Sequence, residues 1–343
     1  MGRVLREERG DSPTLNPQPS TLNRGPGGPA TLNRGPAAGG GPGRSRHYRR
    51  AIEGYLYISP WIVGFLAFTL GPMLFSLYIS FFNWSVLGTP RFAGLGNYVQ
   101  ALSGADPLFW TSWARTWQYA LMFIPAGLVI SLLLATMLNQ KLKGTVLFRT
   151  LFFLPTLIPV VASALLWRWM LQPDIGLVNY LLWRIHVVGP RWFNDAKMAL
   201  PALVMIALWG SVGGSRMIIF LAGLQGVPDE LYDAAKVDGA NWWHRFRNVT
   251  LPMITPTIFF NLVLGVIGAL QVFSISFVAT EGGPAYATWF YMLQLYDSAF
   301  RNYLMGYASA LAWIFFVVVL GLTLIQFKLS GGWVYYAGEE TGK

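Results

Sequence analysis

Side chains able to do covalent or metal chemistry are few in this sequence and widely spaced. Cysteine is absent, which removes disulfides, thiolate nucleophiles and Cys-ligated metals. The three histidines, His47, His186 and His244, are too scattered to make a metal set, and each reads as solvent-facing. There is no Gly-x-x-x-x-Gly-Lys-Ser/Thr phosphate loop, so no catalytic residue, cofactor or metal is expected in this chain. The pattern that stands out is a polar loop between two apolar stretches: Pro228-Asp229-Glu230, then Asp233-Ala234-Ala235, Gly239, Phe246, Val249, Leu251 and Pro252. Its residue types suit docking. By spacing alone they suit equally an amphipathic connector lying on lipid headgroups.

Pro228 with two acids behind it predicts a helix start, since the missing proline donor is harmless there and negative charge suits the helix dipole. Leu231, Ala234, Ala235 and Asp238 follow at helical spacing, and the alanines make a face small enough for close approach by a partner. Gly239 predicts a C-cap at positive φ, after which the chain turns into Asn241 to Asn248. Pro252 and Pro256 open the next apolar stretch, where proline is tolerated.

Composition requires a membrane around these elements. The chain has 343 residues, 54% of them hydrophobic and 12% charged, with a mean hydropathy of +0.44, too apolar for a soluble protein of that length. Six spans are expected at 56–82, 113–138, 150–171, 198–224, 255–278 and 306–327, each near the ~20 residues that cross a hydrocarbon core. The third is short and interrupted by Pro155 and Pro159.

Basic residues set the orientation. With the N-terminus inside, 17 Lys and Arg fall on the cytoplasmic side, nine of them before the first span, and seven fall outside, with Arg216 within a span. The bias favours both termini in the cytoplasm and places the polar loop there. Because the charge of +10 is spread around span ends and the tail, nucleic acid is not an expected partner. Residues 1–46 are rich in Gly, Pro, Arg and Asn, and repeat Thr21-Leu22-Asn23-Arg24-Gly25-Pro26 as Thr31-Leu32-Asn33-Arg34-Gly35-Pro36. They read as a disordered cytoplasmic extension, either without function or tethered to anionic lipid through Arg44, Arg46, Arg49 and Arg50. Residues 47–336 form the membrane domain and 337–343 a short cytoplasmic tail. No cleavable signal peptide is expected.

The loop resembles the coupling motif of binding-protein-dependent ABC importer permeases: Glu-Ala-Ala, three residues, Gly, nine residues, Ile, any residue, Leu-Pro. The spacing holds throughout, with Asp233 in place of Glu and Val249 in place of Ile. The likeness extends over roughly 54–336, through Ser59-Pro60-Trp61, Gly71-Pro72, Gly94-Leu95-Gly96-Asn97-Tyr98, Phe148-Arg149-Thr150, Phe220 to Gln225, Gly282-Gly283-Pro284 and Trp333-Val334-Tyr335-Tyr336. In that order these segments resemble the longer permease of maltose, lactose and glycerol-3-phosphate importers. The resemblance implies an all-α integral membrane protein with six transmembrane helices and a cytoplasmic coupling helix, in a bacterial or archaeal inner membrane. It implies a sugar, oligosaccharide or polyol cargo, a second homologous permease, and an extracytoplasmic solute-binding protein. It further implies two ATP-binding subunits, which would carry ATP and Mg²⁺ and dock on Asp233, Ala234, Ala235, Gly239, Phe246, Leu251 and Pro252. An amino-acid or peptide permease is the nearest competing reading.

Other residues divide between bland and functional roles. Trp110, Trp113, Trp117, Trp167, Trp169, Trp289 and Tyr291 sit near span ends, where interfacial anchoring accounts for most of them. Gly282-Gly283-Pro284 reads as a tight outer turn, with a lip touching a binding protein as the alternative. Asp297 and Arg301 read as an exposed i,i+4 pair. Arg216 departs from the sugar-permease pattern. Snorkelling to the near interface explains it most simply, and a pocket or subunit interface is the alternative. A secondary transporter would need ionisable groups near the midplane, and no acidic residue lies well inside a span. An integral-membrane enzyme would need a convergent polar set that the sequence lacks.

Overall fold

The structure, a computed structural model, describes residues 44–335 apart from 87, 141 and 142. The two Thr-Leu-Asn-Arg-Gly-Pro repeats, Tyr336 and the tail at 337–343 lie outside the described residues. Of the extension expected over 1–46, only the last three residues are described, and they open a helix. By contacts the chain divides into residues 1–63 and residues 64–343.

The described part of the first unit, residues 44–63, lies in helix α1 (Arg44–Phe65), whose Tyr57, Trp61 and Val63 side chains are exposed. The second unit carries one π-turn (Leu66–Leu70) into α2 (Gly71–Ile79), then a two-stranded antiparallel ribbon, β1 (Phe82–Asn83) with β2 (Arg91–Phe92). After it come α3 (Gly96–Leu102), α4 (Pro107–Leu138), α5 (Thr145–Phe153), α6 (Val160–Met170), α7 (Leu177–Arg184), α8 (Ala199–Ser211) and α9 (Ser215–Gln225). The rest are α10 (Asp229–Val237), α11 (Trp242–Arg245), α12 (Leu251–Met253), α13 (Thr255–Leu270), α14 (Ser274–Ala279), α15 (Tyr291–Tyr296) and α16 (Met305–Ser330).

Among the described residues, four helical stretches are long and apolar enough to cross a membrane: Ile52–Ile79, Pro107–Leu138, Thr255–Ala279 and Met305–Ser330. Two further regions qualify only as bent pairs. α5, with its 3₁₀ turn Leu154–Leu157, meets α6 at 93°, and α8 meets α9 at 53°. The stretch expected as one span over 198–224 is therefore two helices. The second span also begins earlier than expected, at Pro107, because Asp106 caps α4 by accepting the Leu108 N–H at 2.9 Å and Pro107 fills the first helical position.

Both breaks have local causes. Ile158 is extended (ψ 126°) because the following Pro159 excludes the helical region for the residue before it. The α8–α9 break falls at Gly213-Gly214, where a Cβ on Gly213 would overlap the Phe152 carbonyl and one on Gly214 would press on Thr156. The two broken pairs thus touch at their breaks. Ser131 of α4 donates to the freed Val212 carbonyl at 2.8 Å, the kind of neighbouring repair that lets a helix break inside a membrane.

Two apolar clusters hold the second unit. One gathers Phe109, Trp113, Leu203, Leu270, Tyr291, Leu311 and Phe315, with Trp113 and Tyr291 rings 4.4 Å apart. The other gathers Ala135, Leu138, Met217, Phe220, Leu221, Leu224 and Ile254 at the far end of α4, beneath the polar loop.

Candidate coupling loop and central cavity

The polar loop folds as a short helix, a left-handed turn and a second short helix. Pro228 is the residue before α10, with Asp229 and Glu230 in the first turn. At the other end Gly239 takes φ +76°, its N–H donates to the Lys236 carbonyl at 3.0 Å, and the Ala240 N–H donates to the Ala235 carbonyl at 2.9 Å. This pair of bonds is the Schellman closure, which needs a residue able to hold positive φ. A Cβ at Gly239 would meet nothing, so backbone conformation alone demands glycine here. Asn241 caps α11 by accepting the His244 N–H at 2.9 Å.

The sequence residues do not all share one face. Asp233, Ala234 and Gly239 are exposed, as are Leu231 and Val237. Ala235 is half-buried against its own chain, on the side of Tyr232. Phe246, Val249, Leu251 and Pro252 are half-buried in the π-turn Phe246–Thr250 and in α12, leading into α13. Trp242 and Trp243 stand exposed beside Phe246, with ring centroids 5.7 and 5.9 Å from it. Tyr232 and Thr250 share a hydrogen bond at 2.9 Å, which ties α10 to the entry of α13. Lys236 donates to Asp233 at 2.7 Å, and that bond, followed by the ammonium charge, holds the Asp233 carboxyl below the usual carboxylate range.

A cavity of about 560 Å³ lies beside the crossing of the two broken pairs. Its walls include Tyr119 and Phe123 of α4, Thr156 and Ser163, Arg216 of α9, and Gly265 of α13. Arg216 does not snorkel. Its guanidinium sits over the Phe123 ring, 5.4 Å from the centroid, and its Nη1 atom is buried against Gly127 without a hydrogen-bond partner. The helix break turns the first residues of α9 inward, and two glycines leave the space that a side chain would have filled. Sequence reasoning kept the pocket alternative for Arg216 but had no signal for the direction of its side chain.

The anchoring role expected for the aromatic residues needs correction. Trp113, Trp289 and Tyr291 are buried, and their surroundings are protein. Tyr291 donates its hydroxyl to the Leu311 carbonyl at 2.7 Å, and Trp289 donates to Gln294 at 2.6 Å. Trp110 and Trp169 are exposed, as the expectation required. Gly282-Gly283-Pro284 is a pinned turn: the Thr288 hydroxyl donates to the Gly283 carbonyl at 2.8 Å, and the Ser276 hydroxyl to the Thr288 carbonyl at 2.6 Å. Arg301 and Asp297 pair at 3.4 Å. Asp106, which the sequence reading passed over, accepts from Gln294 at 2.8 Å and Tyr307 at 2.7 Å. The Asp-Pro pair ahead of an apolar run was its signal.

Comparison with known proteins places this geometry. Residues 127–331 match the family model described as binding-protein-dependent transport system inner membrane component. The probable ABC transporter permease protein YesP of Bacillus subtilis is 41% identical over 302 residues, covering 87% of this chain and 96% of that protein. The trehalose/maltose transport system permease protein MalF of Thermococcus litoralis is 33% identical, covering 82% and 95%. A chain of a bacterial ABC transporter that imports the acidic polysaccharide alginate shares the fold, with a TM-score of 0.74 at 24% identity over 83% of this chain and 97% of that one. With a family match over more than half its length, and with relatives aligned nearly end to end, this chain belongs to the inner membrane permease components of binding-protein-dependent transport systems.

Proposed function

We propose that the chain is the permease subunit of an ATP-driven importer for a sugar, oligosaccharide or polyol-type compound, with α10 as its coupling helix. The observation that carries this reading is the loop itself: Leu231, Ala234 and Val237 exposed on a short helix outside the spans, closed by a glycine at positive φ. The trehalose/maltose relative favours a saccharide cargo over an amino acid or peptide. Each bent pair counts as one span, which gives six, and the basic-residue bias puts both termini and α10 in the cytoplasm. A second homologous permease completes the pathway, two ATPase subunits carry ATP and Mg²⁺, and an extracytoplasmic binding protein delivers cargo.

In this scheme α10 seats in the ATPase subunit through its exposed face, while Tyr232 holds it to the membrane domain through Thr250. Closure of the ATPase pair displaces α10. The displacement passes through Tyr232, Leu224 and Ile254 to α9 and α13, the two helices that carry Arg216 and Gly265 at the cavity. The chain conducts motion and walls the pathway.

The test uses Gly239→Val and Ala234→Trp in the complete importer. Valine at φ +76° strains the Schellman turn by about 1–2 kcal/mol, and tryptophan on the exposed face blocks close approach. Membrane abundance should stay normal while uptake and cargo-stimulated ATP hydrolysis fall together, with weaker recovery of the ATPase subunit on copurification. Full uptake and normal ATPase recovery in both variants would return the loop to a passive connector.

A further inference from the structure

The cavity between the broken pairs holds a charge that the fold does not neutralise. Arg216 Nη1 is buried without a partner, and among the described residues the ion pairs are Lys236 with Asp233 and Arg301 with Asp297, both elsewhere. Space for the guanidinium is built in: a Cβ on Gly127 would collide with Nη1, and one on Gly265 would stand 3.5 Å from Nη2. Thr156, on the wall made by the other broken pair, also ends in a buried oxygen with no partner. Buried polar atoms are nearly always hydrogen-bonded, and a cation inside a span is costly, so two unpaired atoms on residues that line one cavity need a reason. Packing alone would be served by an apolar side chain. Snorkelling would carry the guanidinium to the headgroups rather than between Gly127 and Gly265.

We propose that Arg216 reads charge in the cargo path: the cavity takes an acidic saccharide, whose carboxylate or phosphate pairs with the guanidinium while a ring hydroxyl donates to Thr156 Oγ1. This rests on the importer reading above. The planar fork of arginine suits either anion, and its carbon lies 5.4 Å from the Phe123 centroid at the cavity wall. At about 560 Å³ the cavity falls in the roughly 300–1,000 Å³ range of small-ligand sites, so it admits a short saccharide at a time.

The experiment measures equilibrium binding to the complete detergent-purified importer. Three probes are used: a uronate trisaccharide, its neutral methyl ester and glucose 6-phosphate. Wild type should bind one of the charged probes at least roughly tenfold tighter than the ester, and whichever is preferred identifies carboxylate or phosphate as the group read. Arg216→Gln should remove that preference, a loss on the order of tenfold to a hundredfold for the charged probe, and weaken ester binding far less. Arg216→Lys should keep part of it, and Gly127→Ala, which leaves the charge but crowds the fork, should weaken it. An Arg216→Gln importer with the wild-type charged-to-neutral ratio would overturn the proposal. So would lowered recovery of the second permease with that ratio intact, which would assign Arg216 to the subunit interface. A wild-type importer whose ATP hydrolysis answers to neutral sugar and which shows no charge preference would overturn this proposal alone. One whose ATP hydrolysis answers to no saccharide, with its binding protein present, would overturn the importer reading as well.

Discussion

At the Pro107 end of α4, the Asp106 carboxylate accepts from Leu108, Gln294 and Tyr307 at 2.9, 2.8 and 2.7 Å; in the cavity further along the same helix, Thr156 Oγ1 and Arg216 Nη1 have no partner. The two regions share α4 as a wall and differ in what they ask of polar side chains. Around Asp106 the bonds join α4, α15 and α16 into one frame, with Tyr291 reinforcing it from its N–H to the Thr116 hydroxyl at 2.9 Å. Around Arg216 the frame stops short and leaves two buried polar atoms unpaired on residues that line the cavity. A satisfied network costs little to keep and fixes geometry, whereas unsatisfied groups cost stability and persist where a ligand meets them.

Breaking the Asp106 network should have the largest effect. Asp106→Ala removes the α4 cap and leaves Gln294 and Tyr307 donors without their acceptor, a loss of about 3–5 kcal/mol from the cap and the stranded donors. The purified protein should melt several degrees lower, and Asp106→Asn should recover part of the difference. Thr156→Val makes the opposite case. It deletes a buried oxygen that pairs with nothing, so the melt should move by less than about 1 kcal/mol while cargo affinity falls by up to roughly tenfold. A large loss of stability in Thr156→Val would place that hydroxyl in the frame and erase the contrast between the regions.

The smallest effect is expected at Asp233. Its carboxyl is held below the usual range by the Lys236 hydrogen bond and charge. For a depressed carboxyl, any stabilisation is present above the unfolded value near ~3.9 and fades as pH falls through the lower folded value. Wild type and Asp233→Asn should therefore melt in parallel from neutral pH down to about pH 5 and converge only in stronger acid. The exposed pair contributes little to folding, so a defect of Asp233→Asn in ATPase recovery would report docking.

Much of this was legible in the sequence. Apolar runs near ~20 residues located the four long helical stretches and the two bent pairs, and Pro159 announced the sharper break because its ring excludes helix from the residue before it. The break at Gly213-Gly214 was not legible, since glycine pairs are ordinary in membrane helices and the hydropathy of the run continues through them. Its cause lies in another segment, in the Phe152 carbonyl and Thr156 that press against it. The side-chain direction of Arg216 was hidden for the same reason, because it depends on Gly127 and Gly265 in two other helices. The aromatic residues at span ends read as anchors from position alone, and only the packing of Trp113, Tyr291 and Phe315 shows that several of them are core. In the loop, Gly239 was legible because positive φ is a local demand. The split between exposed Ala234 and half-buried Ala235 was not, since it depends on Tyr232 meeting Thr250.

The most direct test of the coupling account uses the absence of native cysteine. In the assembled importer, single cysteines are placed at Asn241 in the loop and at Ala285 beside the Gly-Gly-Pro turn, and labelled with a membrane-impermeant thiol reagent from either face. The account predicts that the Asn241→Cys chain labels only from the cytoplasmic face, less when ATPase subunits are bound, and that Ala285→Cys labels only from the outside. Labelling of both positions from the same face would contradict it.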